Sequence, residues 1–434
     1  TLLQINTVIN SGSTGHIAET LGNLAIADGW ESYIAFGRNP RSSASHAIKI
    51  GNRLGVLLHV LVTRLFDLHG LASRGATKRL VRQIEQIKPD VIHLHNIHGY
   101  YLNYKILFKY LVKSGTPVVW TMHDCWAATG HCPHYTFVKC IVWQTPKGCE
   151  HCPQKKGYPS CKLFSNVAHN FKSKRKYFNL LAENQLTIVT PSKWLSDEMG
   201  KSFLGHYPRK VIYNGIDTEI FKPYPADINQ EKKIILGVAS VWDERKGLND
   251  FIELSKLIDD DYEIVLIGVN DKIIKGFPEN IKGIKRTESK EELARWYSKA
   301  LCYFNASVEE TFGMTCAEAQ ACGTPVIAYN STAIPETFSE KTGALVETRN
   351  IYQVFEAIKT IEKNGKAFYS SECRKLVIEK FDEKKNFKEY INLYNSIISG
   401  GDCLKTQMHS VESPLNKPKT TLNMDSDGQK LPRN

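Results

Sequence analysis

The sequence predicts an α/β protein built from two Rossmann-like units, and three observations carry that prediction. The chain has 434 residues, enough for two domains. Its opening runs strand, small-residue turn, helix: Leu2–Val8 is a buried-strand run, Asn10-Ser-Gly-Ser-Thr-Gly15 is the turn, and Ile17–Ala27 is amphipathic. A second series of short apolar strands alternating with helices starts at Ile234, after the polar run Asp227–Lys233. Apolar residues make up 42%, which supports sizeable cores. The longest apolar stretch, Val56–Val62, is interrupted by His59 and is too short to span a bilayer. The start TLLQIN reads as a strand rather than a signal peptide, so a cytoplasmic location is expected.

The net charge of +11 is uneven. Residues 1–200 hold 23 Lys/Arg against 11 Asp/Glu, a balance of +12, and the remainder balances to −1. The first half should therefore meet something anionic. No helix-turn-helix, RNP or zinc-finger pattern supports nucleic acid. A phospholipid surface, met peripherally at the inner face of the cytoplasmic membrane, or a pyrophosphate-linked lipid fits better.

In the first unit the turn containing Gly12 and Gly15 is not a G-x-G-x-x-G dinucleotide fingerprint. Trp30–Gly37 gives the second strand. Arg53–Arg82 reads as one long helical stretch, with Leu54, Leu57, Leu58, Leu61, Leu65 and Leu68 at helical spacing among arginines and Lys78. The simpler reading packs that leucine stripe on the sheet. The other rests a basic helix on an anionic membrane. Pro89–His95 is a strand with ligand-binding potential at its end. His93, His95 and His98 look like a metal cluster on paper, but the first two share a strand face and the third lies in the loop. Hydrogen bonding to an acceptor is the better reading. Pro117–Met122 is the next strand, with His123 and Asp124 at its end.

A Cys-rich insertion, 125–161, follows. It carries Cys132, Cys140, Cys149 and Cys152, the last two in C-x-x-C spacing. Four thiolates this close could hold one tetrahedral zinc, ordering a loop with little core of its own. Disulfides, disfavoured in a reducing cytosol, and unbound buried thiols are the other readings. Asn166–Leu181 is a basic helix, Leu186–Val189 a strand, and Pro191-Ser-Lys-Trp194 opens another helix.

In the second unit Ile234–Ala239 is a strand followed by Asp243-Glu-Arg-Lys-Gly247, where Arg245 and Lys246 could neutralise a diphosphate. Glu263–Gly268 is a strand, Glu291–Ala300 a helix, and Leu301–Phe304 the strand feeding the most informative stretch, Phe304–Ala328. An acidic loop with Glu309 and Glu310 leads through Phe312-Gly313 into a helix, Met314–Cys322. Gly323 and Pro325 end that helix, and PVIAY is a buried strand. Free backbone N–H groups at such a helix start suit a phosphate, and Gly313 permits close approach. Glu310 lies just before this anion site and Glu318 on the helix behind it. Their oxygens can accept from the paired hydroxyls of a sugar and of a ribose. Gly343–Val346 is a short strand. Val354–Ile361, Cys373–Phe381 and Phe381–Ile398 are helical, and residues 399–434 read as a disordered tail.

These residues resemble a known signature. Glu310 and Glu318, with E-x-F-G before the helix and G-x-P-V after it, match the E-x7-E pattern of retaining GT-B glycosyltransferases of the family 4 type. Val211-Ile-Tyr-Asn-Gly-Ile-Asp217 resembles that family's V-I-x-N-G-[IV]-D interdomain linker. HDCW at His123, TGHC at Thr129 and CEHCP at Cys149 resemble its colanic-acid-type bacterial exopolysaccharide enzymes.

The resemblance spans about residues 1–398 and implies two Rossmann-like domains facing across a cleft. Residues 1–210 form the acceptor domain and 211–380 the nucleotide-sugar domain, with a helix at 381–398 returning to the first. It implies retaining transfer of a sugar from a nucleotide-sugar to a growing, lipid-linked polysaccharide or glycan. Glu310 and His123 would approach the donor sugar and Glu318 the ribose. The backbone of Phe312, Gly313 and Met314 would face the donor, as would the loop of Gly12 and Gly15. Lys246 matches a family position. Arg245 would stand in for an arginine usually found where this chain has Val241. His95, His98 and Asp124 would lie on the acceptor side. Catalysis would need no divalent metal. A nonhydrolysing UDP-sugar 2-epimerase would share the layout, but the E-x7-E pattern argues against it. A noncatalytic sugar-nucleotide or polysaccharide-binding protein would tolerate loss of Glu310.

Overall fold

The computed structural model describes residues 1–225 and 231–400. The first unit is a seven-stranded parallel sheet of β1 (Leu2–Val8), β2 (Ser32–Arg38), β3 (His46–Lys49), β4 (Val91–Leu94), β5 (Val118–Thr121), β6 (Leu186–Thr190) and β7 (Arg209–Val211). Their order is β3-β2-β1-β4-β5-β6-β7. The second has six parallel strands: β8 (Lys233–Val238), β9 (Tyr262–Ile267), β10 (Ile281–Ile284), β11 (Cys302–Asn305), β12 (Val326–Tyr329) and β13 (Gly343–Val346), ordered β10-β9-β8-β11-β12-β13. In both sheets the order reverses beside the first strand. The loops after β1 and β4, and after β8 and β11, therefore open on the crevice where ligands of such sheets sit.

Helix α1 (Gly12–Ala27) follows β1, with Ser11 as its N-cap. The single helix expected over Arg53–Arg82 is instead two, α2 (Arg53–Phe66) and α3 (Arg74–Ile87). The break has a polar cause. Asp67 is left-handed (φ 53°), and its wholly buried carboxylate accepts from His131 Nδ1 (2.7 Å) and the Asn166 N–H (3.2 Å). Those partners can be reached only if the helix ends there. The leucine stripe does not pack on the sheet. The inward face of α2 is polar, with His59 and Thr63 buried, while Leu54, Leu57, Leu58 and Leu61 are 52–75% exposed. Helices α4 (Tyr104–Ser114), α5 (Val167–Phe178) and α6 (Lys193–Gly200) complete this unit.

The Cys-rich insertion has only two 3-10 turns as regular structure, Thr136–Val138 and Val142–Gln144. It is nonetheless no loose loop. Cys125, Trp126, Cys132, Tyr135, Trp143 and Cys149 are buried in one core with Phe171 and Phe178 of α5.

The chain crosses between units twice, and the crossings are joined. Ile216 N–H donates to Phe381 O (2.7 Å), and Glu383 N–H donates to Ile216 O (3.0 Å). A Cβ on Gly215 would lie 2.4 Å from Glu383 Cα, so only glycine fits where the two backbones press together. The Glu383–Ile398 helix then lays Phe387, Tyr390, Ile391 and Tyr394 against Leu2, Ile17, Leu21 and Val119 of the first unit. The tail expected from Ser399 lies, from residue 401 onward, outside the described residues, as do residues 226–230 of the polar run.

Candidate active site

The loop after β11 is fixed from both sides. Ser307 N–H donates to Asn305 Oδ1 (2.9 Å), and Asn305 Nδ2 reaches Cys316 Sγ (3.0 Å) on the following helix, Met314–Ala321. Glu310 N–H donates to Thr332 Oγ1 (2.9 Å), and the same hydroxyl donates back to Glu310 O (2.9 Å). The basic loop after β8 is zipped alongside. Val308 N–H donates to Arg245 O (3.0 Å), and the Arg245 guanidinium donates to Glu309 O (2.8 Å). Lys246 Nζ forms an ion pair with Glu310 Oε1. Burial alone would raise the Glu310 pKa, but Lys246 and then Arg245 outweigh it and hold the carboxyl below its usual range. Arg245 and Lys246, the pair expected to neutralise a diphosphate, are thus both engaged by the acidic loop, Arg245 through the Glu309 carbonyl and Lys246 through the Glu310 carboxylate.

Gly313, at φ +100°, turns the chain into the helix, and a Cβ there would meet Ile334 Cδ1 at 2.8 Å. The Phe312 ring is buried against Tyr213 and Phe381, so anything Phe312 offers a donor comes from its backbone. Glu318 accepts from Tyr297 Oη (3.0 Å), and burial lifts its pKa to about 7. Near it Lys290 Nζ and His16 Nε2 stand 3.2 Å apart, and His16 reaches Glu383 Oε2 at 3.1 Å. His16 follows Gly15 on α1. The glycine turn therefore brings a residue of the first unit to the Glu318 side of the crevice.

Across the crevice, the ends of β4 and β5 carry a histidine relay. Gln4 Nε2 donates to Ala18 O (2.8 Å), so its Oε1 must accept from His95 Nε2–H (3.0 Å). Neutral His95 then accepts at Nδ1 from His123 Nε2–H (3.1 Å). Burial lowers both imidazoles, His123 to about 4, so both are neutral at pH 7. His123 is left with Nδ1 as an acceptor. His98 Nε2 meets Asp124 Oδ2 (2.9 Å) and its Nδ1 meets Tyr158 Oη (3.1 Å). Burial pushes Asp124 up, but the charge and hydrogen bond of His98 more than offset it and hold the carboxyl at about 2. His93 stands apart from this chemistry, its ring nitrogens engaged by Tyr394 Oη (2.6 Å) and Thr121 Oγ1 (2.8 Å). The two halves of the site touch where Thr311 Oγ1 donates to His123 O (3.0 Å).

Two bridging residues carry no local sequence signal. The wholly buried carboxylate of Glu309 accepts from the N–H groups of Tyr135 (3.0 Å), Thr136 (2.9 Å) and Phe137 (3.1 Å) in the insertion. Glu336 accepts from the N–H groups of Lys193 (2.8 Å) and Trp194 (2.7 Å), capping α6 from the second unit.

The four insertion thiols share one core and sense one another. Cys132 lies beside Cys152, whose pKa this neighbour draws down, while burial raises Cys149 to about 11. Among the described residues, no three His, Cys, Asp or Glu side chains are placed to share a metal ion. Cys132 interacts with Cys140, Cys149 and Cys152 alike, and zinc analysis of the purified protein tests the metal expected on these four thiols.

Comparison with known proteins resolves the class. A model of Glycosyltransferase Family 4 matches residues 12–220, and one of Glycosyl transferases group 1 matches residues 221–391. The chain belongs to glycosyltransferase family 4. This glycosyltransferase is 26% identical over 419 residues to an Escherichia coli K12 protein described as a colanic acid biosynthesis glycosyl transferase, WcaC, covering 91% of this chain and 100% of that one. Its fold resembles sucrose-phosphate synthase from Thermosynechococcus elongatus, with TM-score 0.66, 17% identity and 92% and 99% coverage of the two chains. It also resembles Anabaena Alr3699/HepE in complex with UDP and glucose, with TM-score 0.61, 16% identity and 91% and 99% coverage. The enzyme has the GT-B architecture. Among the described residues no helix is long and apolar enough to cross a membrane.

Proposed function

We propose that this glycosyltransferase moves a sugar from a nucleotide-sugar donor to a growing polysaccharide or glycan on a lipid carrier, with retention at the anomeric carbon. The observation that carries the reading is Glu310 on Lys246, beside Arg245, at the start of the Met314–Ala321 helix and against the His123 end of the first sheet. The anomeric carbon–oxygen bond to the diphosphate breaks, and a bond from the acceptor oxygen forms on the same face. The acceptor proton leaves on a diphosphate oxygen. Lys246, Arg245 and the helix N–H groups take up the charge developing on the leaving group, without a divalent cation. Ionised Glu310 faces the sugar, His123 Nδ1 accepts from a sugar hydroxyl, and Glu318 accepts from the ribose. His95 fixes the His123 tautomer, and His98 with Asp124 lies toward the acceptor. The E. coli relative's description, colanic acid biosynthesis, and the UDP and glucose bound in the Anabaena protein support the substrate classes.

The test is Glu310→Gln. A thermal-shift panel of UDP-, GDP-, dTDP- and CMP-sugars first finds the donor nucleotide. With that donor, E310Q should keep the nucleotide-induced shift yet lose transfer by about a hundredfold or more. Wild-type turnover should persist in excess EDTA. Full transfer by E310Q would overturn the assignment.

A further inference from the structure

We infer that the outward face of α2, with the neighbouring strap at residues 162–166, is a docking surface for an anionic lipid bilayer. This helix is turned against the usual rule. A helix on a sheet buries its apolar stripe, whereas α2 buries His59 and Thr63 and holds Leu54, Leu57, Leu58 and Leu61 in solvent. The exposure is built rather than frayed. His59 Nδ1 is bonded to Ser73 Oγ (2.8 Å), and Nε2 accepts from Gly70 N–H (3.1 Å), which fixes the rotation of the helix about its axis.

The strap extends the apolar face. Lys162 N–H donates to Arg64 O (2.7 Å) and Phe164 N–H to Leu65 O (2.9 Å). They place Leu163 and Phe164, 59% and 63% exposed, at the end of α2, with the Phe164 ring stacked on Phe66 at 6.0 Å. Monomers rarely leave such a patch contiguous and uncovered.

Charge decides what covers it. From Arg53 to Gln83 the only carboxylate is Asp67, which is buried, so the exposed ions there are all cationic: Arg53, Arg64, Arg74, Lys78, Arg79 and Arg82. Residues 151–182, which include the strap, contain no Asp or Glu, and Lys162 is exposed within it. A second copy meeting this face through a two-fold axis would set like charges against each other. A bilayer with anionic headgroups meets both demands, taking leucine and phenylalanine side chains into the acyl boundary and phosphates onto arginine and lysine.

The surface serves the proposed function by bringing the enzyme to a lipid-borne acceptor, but the experiment below does not use transfer. The full chain is sedimented with vesicles of phosphatidylcholine alone or mixed with phosphatidylglycerol. It should partition onto the mixed vesicles and weaken as salt is raised. L57E/L61E, both at exposed positions, should bind the mixed vesicles about a hundredfold less, while L57I/L61I binds as wild type. Both variants should keep the wild-type nucleotide-induced thermal shift. Equal partition of L57E/L61E and wild type would overturn the proposal, as would no preference for phosphatidylglycerol. Light scattering that shows a dimer broken by L57E/L61E would assign the face to a second copy instead. Vesicle binding without any nucleotide-induced shift would overturn the donor-site reading and leave this one standing.

Discussion

Glu309→Ala should release the Cys-rich insertion from the second unit while leaving both sheets folded. The wild-type carboxylate is wholly buried and accepts from three successive backbone N–H groups, at 2.9–3.1 Å. Each such charge-assisted bond contributes about 1.5–3 kcal/mol net, and bonds to one carboxylate do not add fully. Removing the acceptor leaves three N–H groups unsatisfied at about 1–3 kcal/mol each, which short of full additivity comes to about 3–4 kcal/mol. At 1.4 kcal/mol per tenfold, local opening should become more frequent by about two to three orders of magnitude. Hydrogen–deuterium exchange followed by mass spectrometry reads this directly at the amides of Tyr135, Thr136 and Phe137. E309Q should fall between, because an amide oxygen has two lone pairs for three donors and its NH2 group faces N–H groups. If exchange in E309A stays within about threefold of wild type, the amides are held by the insertion's own core and the bridge is incidental.

Two further outcomes follow from buried groups. Burial raises the Glu318 carboxyl from 4.5 to about 7 in the folded protein. The folded state therefore takes up a proton more readily than the unfolded chain. The stability linked to this group is full below about pH 4.5 and is lost as pH rises through 7. Denaturation at pH 5.5 and pH 8 should show E318Q losing less stability than wild type over that interval, by about 2 kcal/mol, and parallel pH profiles would show that Glu318 does not titrate there. Cys149 is buried, accepts Gly130 N–H at 3.3 Å, and has its Cβ 2.9 Å from where a Cβ on Gly130 would stand. C149S puts a more strongly hydrated group into that core and should cost about 1–2 kcal/mol, seen as a lower Tm. Zinc analysis of wild type and variant alongside separates a packing loss from a metal loss.

What was legible in the chain follows from the range of the forces involved. The β11 strand, the Gly313 turn, the helix behind it and the β12 strand were readable because each is fixed by neighbours a few residues away. The spacing of Glu310 and Glu318 was readable for the same reason. The role of Glu309 was not, because its partners at 135–137 are far off in sequence and no local pattern distinguishes it from a solvated acid. The helix over residues 53–82 shows the same limit twice. Leucine periodicity gives a stripe but not the side on which the sheet lies, and the outward orientation is set by His59 bonds to Ser73 and Gly70. The break at Asp67 answers to His131 and Asn166, which no window around residue 67 contains. The edge strand His46–Lys49 is too short and too exposed to rise above its loop. The thiols were legible as a cluster. Their convergence on a shared ion was not to be had from spacing alone, since it depends on side-chain placement.

The ion pair between Lys246 and Glu310 has a kinetic meaning. An empty donor site built only of cations would hold a spent nucleotide diphosphate as firmly as its geometry allowed. Here the cation already has an internal anion, so the diphosphate of the proposed donor would displace a resident competitor rather than fill a charge void. On that reading the same carboxylate would reclaim Lys246 as the product loosens, lowering affinity for the nucleotide but shortening its stay. For the turnover proposed above, which ends with release of a diphosphate, self-neutralisation of the resting site would favour turnover over tight capture.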